Sequence, residues 1–569
     1  MILSTLNVAA TLIPSTGTTT YPIAIKQGVV SMDESVSPFV GGDITIAHPG
    51  LSVFALIDNT AKVRLNVVSG GTSLDVTLNV TARQLISETG DIGINLANDE
   101  ALVEDCTPTA PINYNASQGS VQSIVNAVLS RALGKPTTAS YVAGVDRAFP
   151  TFREVKNLVP NGSFEASSGL WTASQSTLLQ DTVRQKFGTY SLRITPNSTS
   201  TSSYITMFVP LTPGQTYTYS AYFYMAGALQ SGASIADARK LQVGATVANS
   251  QWLQRSAQVP NEANLQTRAT MTFTVPWNAE DTFIRVINGY TNSADNRINV
   301  DGILLVEGDG LDTNLTPIEY FDGDNADSDI YKYDWDDIAL LSSSTRSPVV
   351  DRDEGALVWE PGMGGMRFLK NMLEATGLRL FQDIDGSWKL ADNSYRVDGQ
   401  TRIGYGFNLY RATDLMSRTA TQRDGLPLFC DAVVLRYVWT DVLGREQTAT
   451  DIAGPANPTK AYTPNVIEAP YPGPGRAAYM LSRLKLRQRQ LQVAGATDFT
   501  SRPGQEAVIT TVDSGVQSGY VDAVSWDIGN DEMTVYTKGL IGVAPGSIGN
   551  APAGQTIGSV SGTIAQYKN

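Results

Sequence analysis

A chain of 569 residues with 42% hydrophobic and 17% charged side chains exceeds what one core serves, so about three to four β-rich domains are expected. Its formal charge of -14 argues against an adhesive nucleic-acid binder, which needs a basic face to displace phosphate counterions. Only Cys106 and Cys430 occur, which excludes a disulfide framework and a four-cysteine zinc site. No apolar run approaches the roughly eighteen residues of a membrane span, and MILSTLNVAATLIPSTG lacks the basic start of a secretion signal, so the protein is read as cytoplasmic when made.

From Ile23 to about Asp105 the pattern is alternation: Leu74, Val76, Leu78 and Val80 against Asp75, Thr77, Asn79 and Thr81, then Glu88-Thr89-Gly90-Asp91 turning into Ile92, Ile94 and Leu96. A period of two is a half-buried antiparallel strand, and several at this spacing predict a small barrel or sandwich over 1–110. In 111–156, SVQSIVNAVLSRAL (Ser120 to Leu133) predicts a helix with Val121, Ile124, Val125, Val128 and Leu129 inward and Gly134-Lys135-Pro136 as its stop.

Between 157 and 347 the pattern changes. The order is Asn161-Gly162-Ser163-Phe164-Glu165, then Trp171, Gly188-Thr189-Tyr190-Ser191-Leu192-Arg193-Ile194, a strand crowded with Tyr217, Tyr219, Tyr222, Phe223 and Tyr224, and Val300-Asp301-Gly302-Ile303-Leu304-Leu305. It resembles the jelly-roll carbohydrate-binding modules of the galactose-binding-like fold. The resemblance implies a β-sandwich that binds sugar, often with one structural calcium. A ring face matches the apolar face of a pyranose, and among Trp171, Tyr190, Tyr204, Tyr222, Tyr224, Trp252 and Trp277 the sugar-stacking candidates singled out are Trp171, Tyr190, Tyr222 and Trp252. Glu165 and Asp301 are the candidate calcium ligands, with carbonyls near Gly188. The same two carboxylates read equally well as turn or cap groups. Seven aspartates between Asp322 and Asp337 follow as an acidic exit loop whose spacing fails an EF-hand's.

From 348 to 425 the clearest piece is GMRFLKNMLEATGLRLFQDIDGSWKLAD, Gly365 to Asp392. Met366, Phe368, Leu369, Met372 and Leu373 predict a short amphipathic helix, Gly377 its stop, and Asp385-Gly386 a hairpin turn. Over 426–541, Phe429 to Tyr437 and Gln488 to Ala494 read as strands, and Arg476 to Leu486 as a helix with Ala478, Leu481 and Leu484 or Leu486 inward. Tyr520 to Trp526 pairs across Gly529-Asn530 with Glu532 to Tyr536, and 542–569 reads as a flexible C-terminal arm.

Helix, hairpin and the flanking β patterns together resemble the tail hub proteins of long-tailed bacteriophages. That implies a mainly β chain: two tube-like antiparallel β-barrels, 1–110 and 426–541, with small α+β helix-hairpin elements, interrupted by an inserted β-sandwich jelly roll. The resemblance implies a virion protein at the tail tip, a homotrimer contacting the distal tail protein, the tape measure protein and other tail-tip proteins. DNA passes transiently and a host cell-surface glycan binds outside. The single histidine, His48, sits in a turn with no catalytic motif around it, so no catalytic residue is assigned and the chain is expected not to be an enzyme. A host-directed glycan hydrolase with an accessory carbohydrate-binding module is the alternative, and a cellular lectin a third class.

Overall fold

The computed structural model describes residues 6–542, except 16, 152, 199–202, 226–238, 261, 263, 290–295, 314, 329, 442–443 and 513–514. The expected C-terminal arm thus lies outside the described residues beyond Gly542. The chain divides into two compact units, one of residues 1–149, 355–441 and 446–569, the other of 150–354 with 442–445. Among the described residues no helix is long and apolar enough to cross a membrane.

The first unit is a framework around a 13-stranded sheet. Its path begins at Tyr21–Ile23 and runs through Asn7–Ile13, Lys62–Ser69, Thr72–Ile86, Asp91–Ala97, Val40–Ile46 and Ile25–Asp33. It continues through Gly515–Asp527, Glu532–Gly542 and Gln490–Ala496 to Leu409–Leu415. Strands expected in two separate barrels, apart from 432–440, therefore form one sheet, with an open path and a shared core. The physical reason is the length of Gly515–Asp527. Its first half pairs Glu506–Thr511 and its second half pairs Ile25–Asp33, from Val29↔Asp527 to Asp33↔Ala523, the switch coinciding with irregularities at Ser518/Tyr520 and Val521/Ala523. The hairpin expected across Gly529-Asn530 is present, with Val524 opposite Val535.

Helix Gly365–Ala375 and the hairpin of Arg379–Gln382 with Trp388–Ala391 occupy the expected places. Gly377 and Gly386 carry φ of 70° and 81°, the left-handed conformations that glycine adopts without strain. Their core is shared with helix Val121–Leu133, which Ser120 caps by accepting the Ser123 N–H and Gly134 ends at φ 64°. One core is thus built from both sides of the insertion. Residues 432–440 do not join the large sheet. They form a four-stranded sheet with Glu446–Ala453, Ala461–Tyr462 and Ile467–Glu468, on which helix Arg476–Leu486 lies. That helix turns Leu481 and Leu484 inward as expected, with Ala477 in place of Ala478, which is exposed like Leu486.

The second unit holds two five-stranded antiparallel sheets. One is ordered Thr172–Ser174, Ser203–Phe208, Ala279–Gly289, Lys240–Val247, Ser250–Arg255, and is called the front sheet below. The back sheet is ordered Ser176–Asp181, Ser191–Pro196, Ile298–Glu307, Thr216–Met225, Gln266–Thr274. Leu192, Phe223 and Val300 of the back sheet meet Ile205, Val243 and Val286 of the front in one apolar core, the layering of a β-sandwich. The outside of the back sheet is covered by Ile318, Tyr320 and Phe321 packing on Leu304 and Val306. The acidic exit segment is not a free loop. Tyr331–Trp335 pairs Ser344–Pro348, which pairs Val155–Asn157 at the start of the unit, so the two ends of the insertion meet in adjacent strands.

Candidate glycan-binding face

Alternation decides what the front sheet shows on its outer side. Because Ile205, Met207, Val243, Ile284 and Val286 are in the core, their strand neighbours point the other way. The register aligns these neighbours in three rungs. Ser174, Tyr204, Ile287 and Lys240 make the first. Thr172, Thr206, Arg285, Gln242 and Arg255 make the second, polar from end to end. Phe208, Phe283, Gly244 and Leu253 make the third.

Arg285 is the centre of this face. Its guanidinium lies 4.5 Å from the Tyr204 ring centroid and 4.1 Å from that of Phe283, one ring from each flanking rung. Its Nη1 donates to Gln242 Oε1 at 3.2 Å. Burial lowers its pKa, the Tyr204 phenol opposing and the nearby Arg255 adding to the shift. Arg285 Nε and Gln242 Nε2 are buried donors without a partner. Phe208 is 71% exposed and meets Phe283 edge-on at 6.2 Å. Gly244 makes room for that ring, since a Cβ there would come within 2.3 Å of Phe283 Cζ. The face thus offers aromatic surface on both sides of a row of hydrogen-bonding groups, the composition of a saccharide site.

None of the four residues singled out from the sequence is on it. Trp171 is 4% exposed and packs in the core beside Phe164, so its ring offers no free face. Trp252 points inward against Phe273, having the opposite parity to Leu253. Tyr222 is on the back sheet, edge-on to Phe187, its hydroxyl donating to Glu319 Oε2 at 2.5 Å. Tyr190 is half-buried in the loop entering Ser191–Pro196, its backbone N–H bonded to Glu165. Tyr204, in the wider aromatic set, does reach the face, whereas Phe208, Phe283, Arg285 and Gln242 were missed. The signal available was strand parity, which becomes usable only when the inward residues are known.

The pair read as calcium ligands is a loop clamp. Glu165 Oε1 accepts the N–H groups of Thr189 and Tyr190, both at 2.7 Å. Asp301 Oδ2 accepts those of Lys186 and Phe187 at 2.6 and 2.8 Å, and Oδ1 that of Gly302 at 2.7 Å. These contacts are those of the turn or cap reading of the two carboxylates, and among the described residues no group of three His, Cys, Asp or Glu is placed to hold a metal. Burial pushes Asp301 up to about 7, against its three amide donors and with the Glu165 charge adding to the rise. His48, the remaining titratable residue of note, accepts the Gly50 N–H at 3.1 Å and stacks on Phe54 as a turn residue.

No curated protein matches the chain in sequence. Among solved structures, the tail protein from Neisseria meningitidis MC58 is 8% identical over 94% of this chain and 96% of its own, with a TM-score of 0.38. The C-terminal family 22 carbohydrate binding module from Clostridium thermocellum is 17% identical over 26% of this chain and 95% of its own, with a TM-score of 0.22. A family 16 carbohydrate binding module is 19% identical over 26% of this chain and 100% of its own, with a TM-score of 0.21. Residues 156–293, which contain all three rungs, match the model of a family described as a carbohydrate binding domain.

Proposed function

We propose that the chain is a structural component of a bacteriophage tail, the hub of the tail tip, whose framework forms a homotrimeric ring for DNA passage and whose inserted unit binds a host-surface glycan. The proposed role is assembly and binding, without catalysis. The observation that carries the glycan half is the polar rung of Thr206, Arg285 and Gln242 between the rungs of Tyr204 and Phe208. Rings can stack on pyranose faces while the polar groups between them take hydroxyls.

The hub half is supported by the framework itself. Its two sequence segments close into one sheet and one helical core across the insertion. The sheet ends at Leu409–Leu415, a strand in which every residue but the first is exposed, next to exposed Tyr405 and Phe407. A free edge of that kind is a template for pairing with another chain, and a head-to-tail contact closes when repeated about a three-fold axis. The distal tail protein and the tape measure protein are the neighbours this reading expects. Native mass spectrometry and electron microscopy of the full chain test it. Trimeric rings are expected, and dimers or hexamers alone overturn the ring.

A further inference from the structure

The three rungs of the front sheet have a one-sided charge. They hold Arg285, Arg255 and Lys240 and not one Asp or Glu. The first acidic position in register is Glu280, opposite Thr246 and beyond the irregularity at Gly244/Thr246. Among the described residues no carboxylate pairs with Arg285, whose interactions are the Gln242 oxygen and the two rings. Both buried side-chain atoms of the polar rung that have no partner among the described residues, Arg285 Nε and Gln242 Nε2, are donors, and Gln242 is only 2% exposed.

We infer that the glycan seated on this face carries carboxylate groups, as a uronic-acid polymer does, and that Arg285 is the residue that reads the charge. The inference rests on the glycan-binding reading of the face and narrows it to a ligand class. A neutral sugar laid over the rungs would cover the guanidinium without a counter-charge, and sealing an unpaired cation from water is costly. Tyr204 and Phe283 lie against the guanidinium, Nε is buried and Nη1 is taken by Gln242, so Nη2 is the donor left to receive a carboxylate oxygen in a charge-assisted hydrogen bond.

The test uses the full chain in affinity electrophoresis and titration calorimetry with four polymers: polygalacturonate, alginate, fully methyl-esterified polygalacturonate and xylan. The esterified polymer has the same sugar without the charge. At least one acidic polymer is expected to bind about tenfold or more tighter than the esterified one, with an advantage that shrinks as salt rises. In R285Q, checked for an unchanged melting temperature, that advantage should collapse to about one, while R285K keeps part of it. F208A should weaken every bound polymer alike. Equal binding of charged and esterified polymers, or binding of xylan alone, overturns the inference and leaves the glycan reading standing. Binding of none of the four overturns the glycan reading itself.

Discussion

Two of the regions that hold arginine wholly or partly out of water do so in opposite ways. Where Gly515–Asp527 joins the two segments of the framework sheet, Asp522 is 0% exposed and pairs with Arg487 at 2.7 Å and Arg423 at 3.0 Å. Arg423 also holds Asp33 at 2.8 Å, and Glu34 is held by Arg379 and Lys538. On the front sheet of the inserted unit, Arg285 has rings and an amide around it and, among the described residues, no carboxylate. A buried cation that has its counter-charge within the fold is part of the framework's structure. On the proposed reading, Arg285 receives its counter-charge from the ligand.

The largest effect that tests the contrast is at the framework join. Asp522→Ala leaves Arg487 buried without its partner and should cost about 3 to 5 kcal/mol, the penalty of an uncompensated buried charge. Calorimetric unfolding of the full chain should show the framework transition moving down while glycan affinity is retained. A loss under about 1 kcal/mol would mean that the ion cluster is decoration, and the comparison fails.

Acidity should act on the two units with opposite sign. Burial raises Asp522, but the charges of Arg487, Lys538 and Arg423 outweigh it and hold the group far below the carboxylate range. A depressed carboxylate contributes stability that is present above its unfolded value, near 3.8, and is lost as pH falls through the folded one. Asp301, raised from 3.8 to about 7, does the reverse: its contribution is present below 3.8 and is lost as pH rises through about 7. Between pH 4 and 7 the inserted unit should therefore lose stability while the framework holds its own. D301N should flatten the slope of the inserted unit, as followed by its unfolding transition across that range. A slope unchanged in D301N would assign the dependence to another group.

Smaller effects sharpen the map of the face. Phe208→Ala should cost about 1 kcal/mol of glycan affinity, the scale of one aromatic contact, with no measurable loss of stability because the ring is exposed. Trp277 is more exposed still, at 82%, but lies in the turn before Ala279–Gly289 and outside the three rungs. Trp277→Ala should change affinity and stability by less than about 0.5 kcal/mol. An effect as large as that of Phe208 would extend the site beyond the rungs.

Much of the framework was legible because its signals are local. The helix at Gly365–Ala375 with its stop at Gly377, the helix at Val121–Leu133 with its Ser120 cap, and the hairpin of Tyr520 to Trp526 with Glu532 to Tyr536 each depend on residues within a few positions of one another. The order of motifs from Asn161 to Leu305 likewise marked a β-sandwich unit. The site was less legible, because a strand such as Thr216–Met225 carries rings on both parities: Tyr217, Tyr219 and Phe223 are core while Tyr222 is outside. Trp171 was favoured for its place in the loop after Glu165, but its large apolar area, like that of Trp252, draws it inward.

What the sequence determined by itself was therefore the period of each segment, its turns and caps, and the place where one framework is interrupted by a second unit. These follow from backbone preferences and side-chain spacing over a few residues. Three things waited for the tertiary structure: the merging of two expected barrels into one open sheet through Val29↔Asp527, the amide clamp at Glu165 and Asp301, and the polar rung that puts Arg285 beside Gln242. Each brings together residues from 24 to 498 positions apart, and which of them meet is set by strand register and by the burial of whole faces. No local pattern encodes that choice, since a strand shifted by one residue keeps its alternation and turns every side chain to the other side.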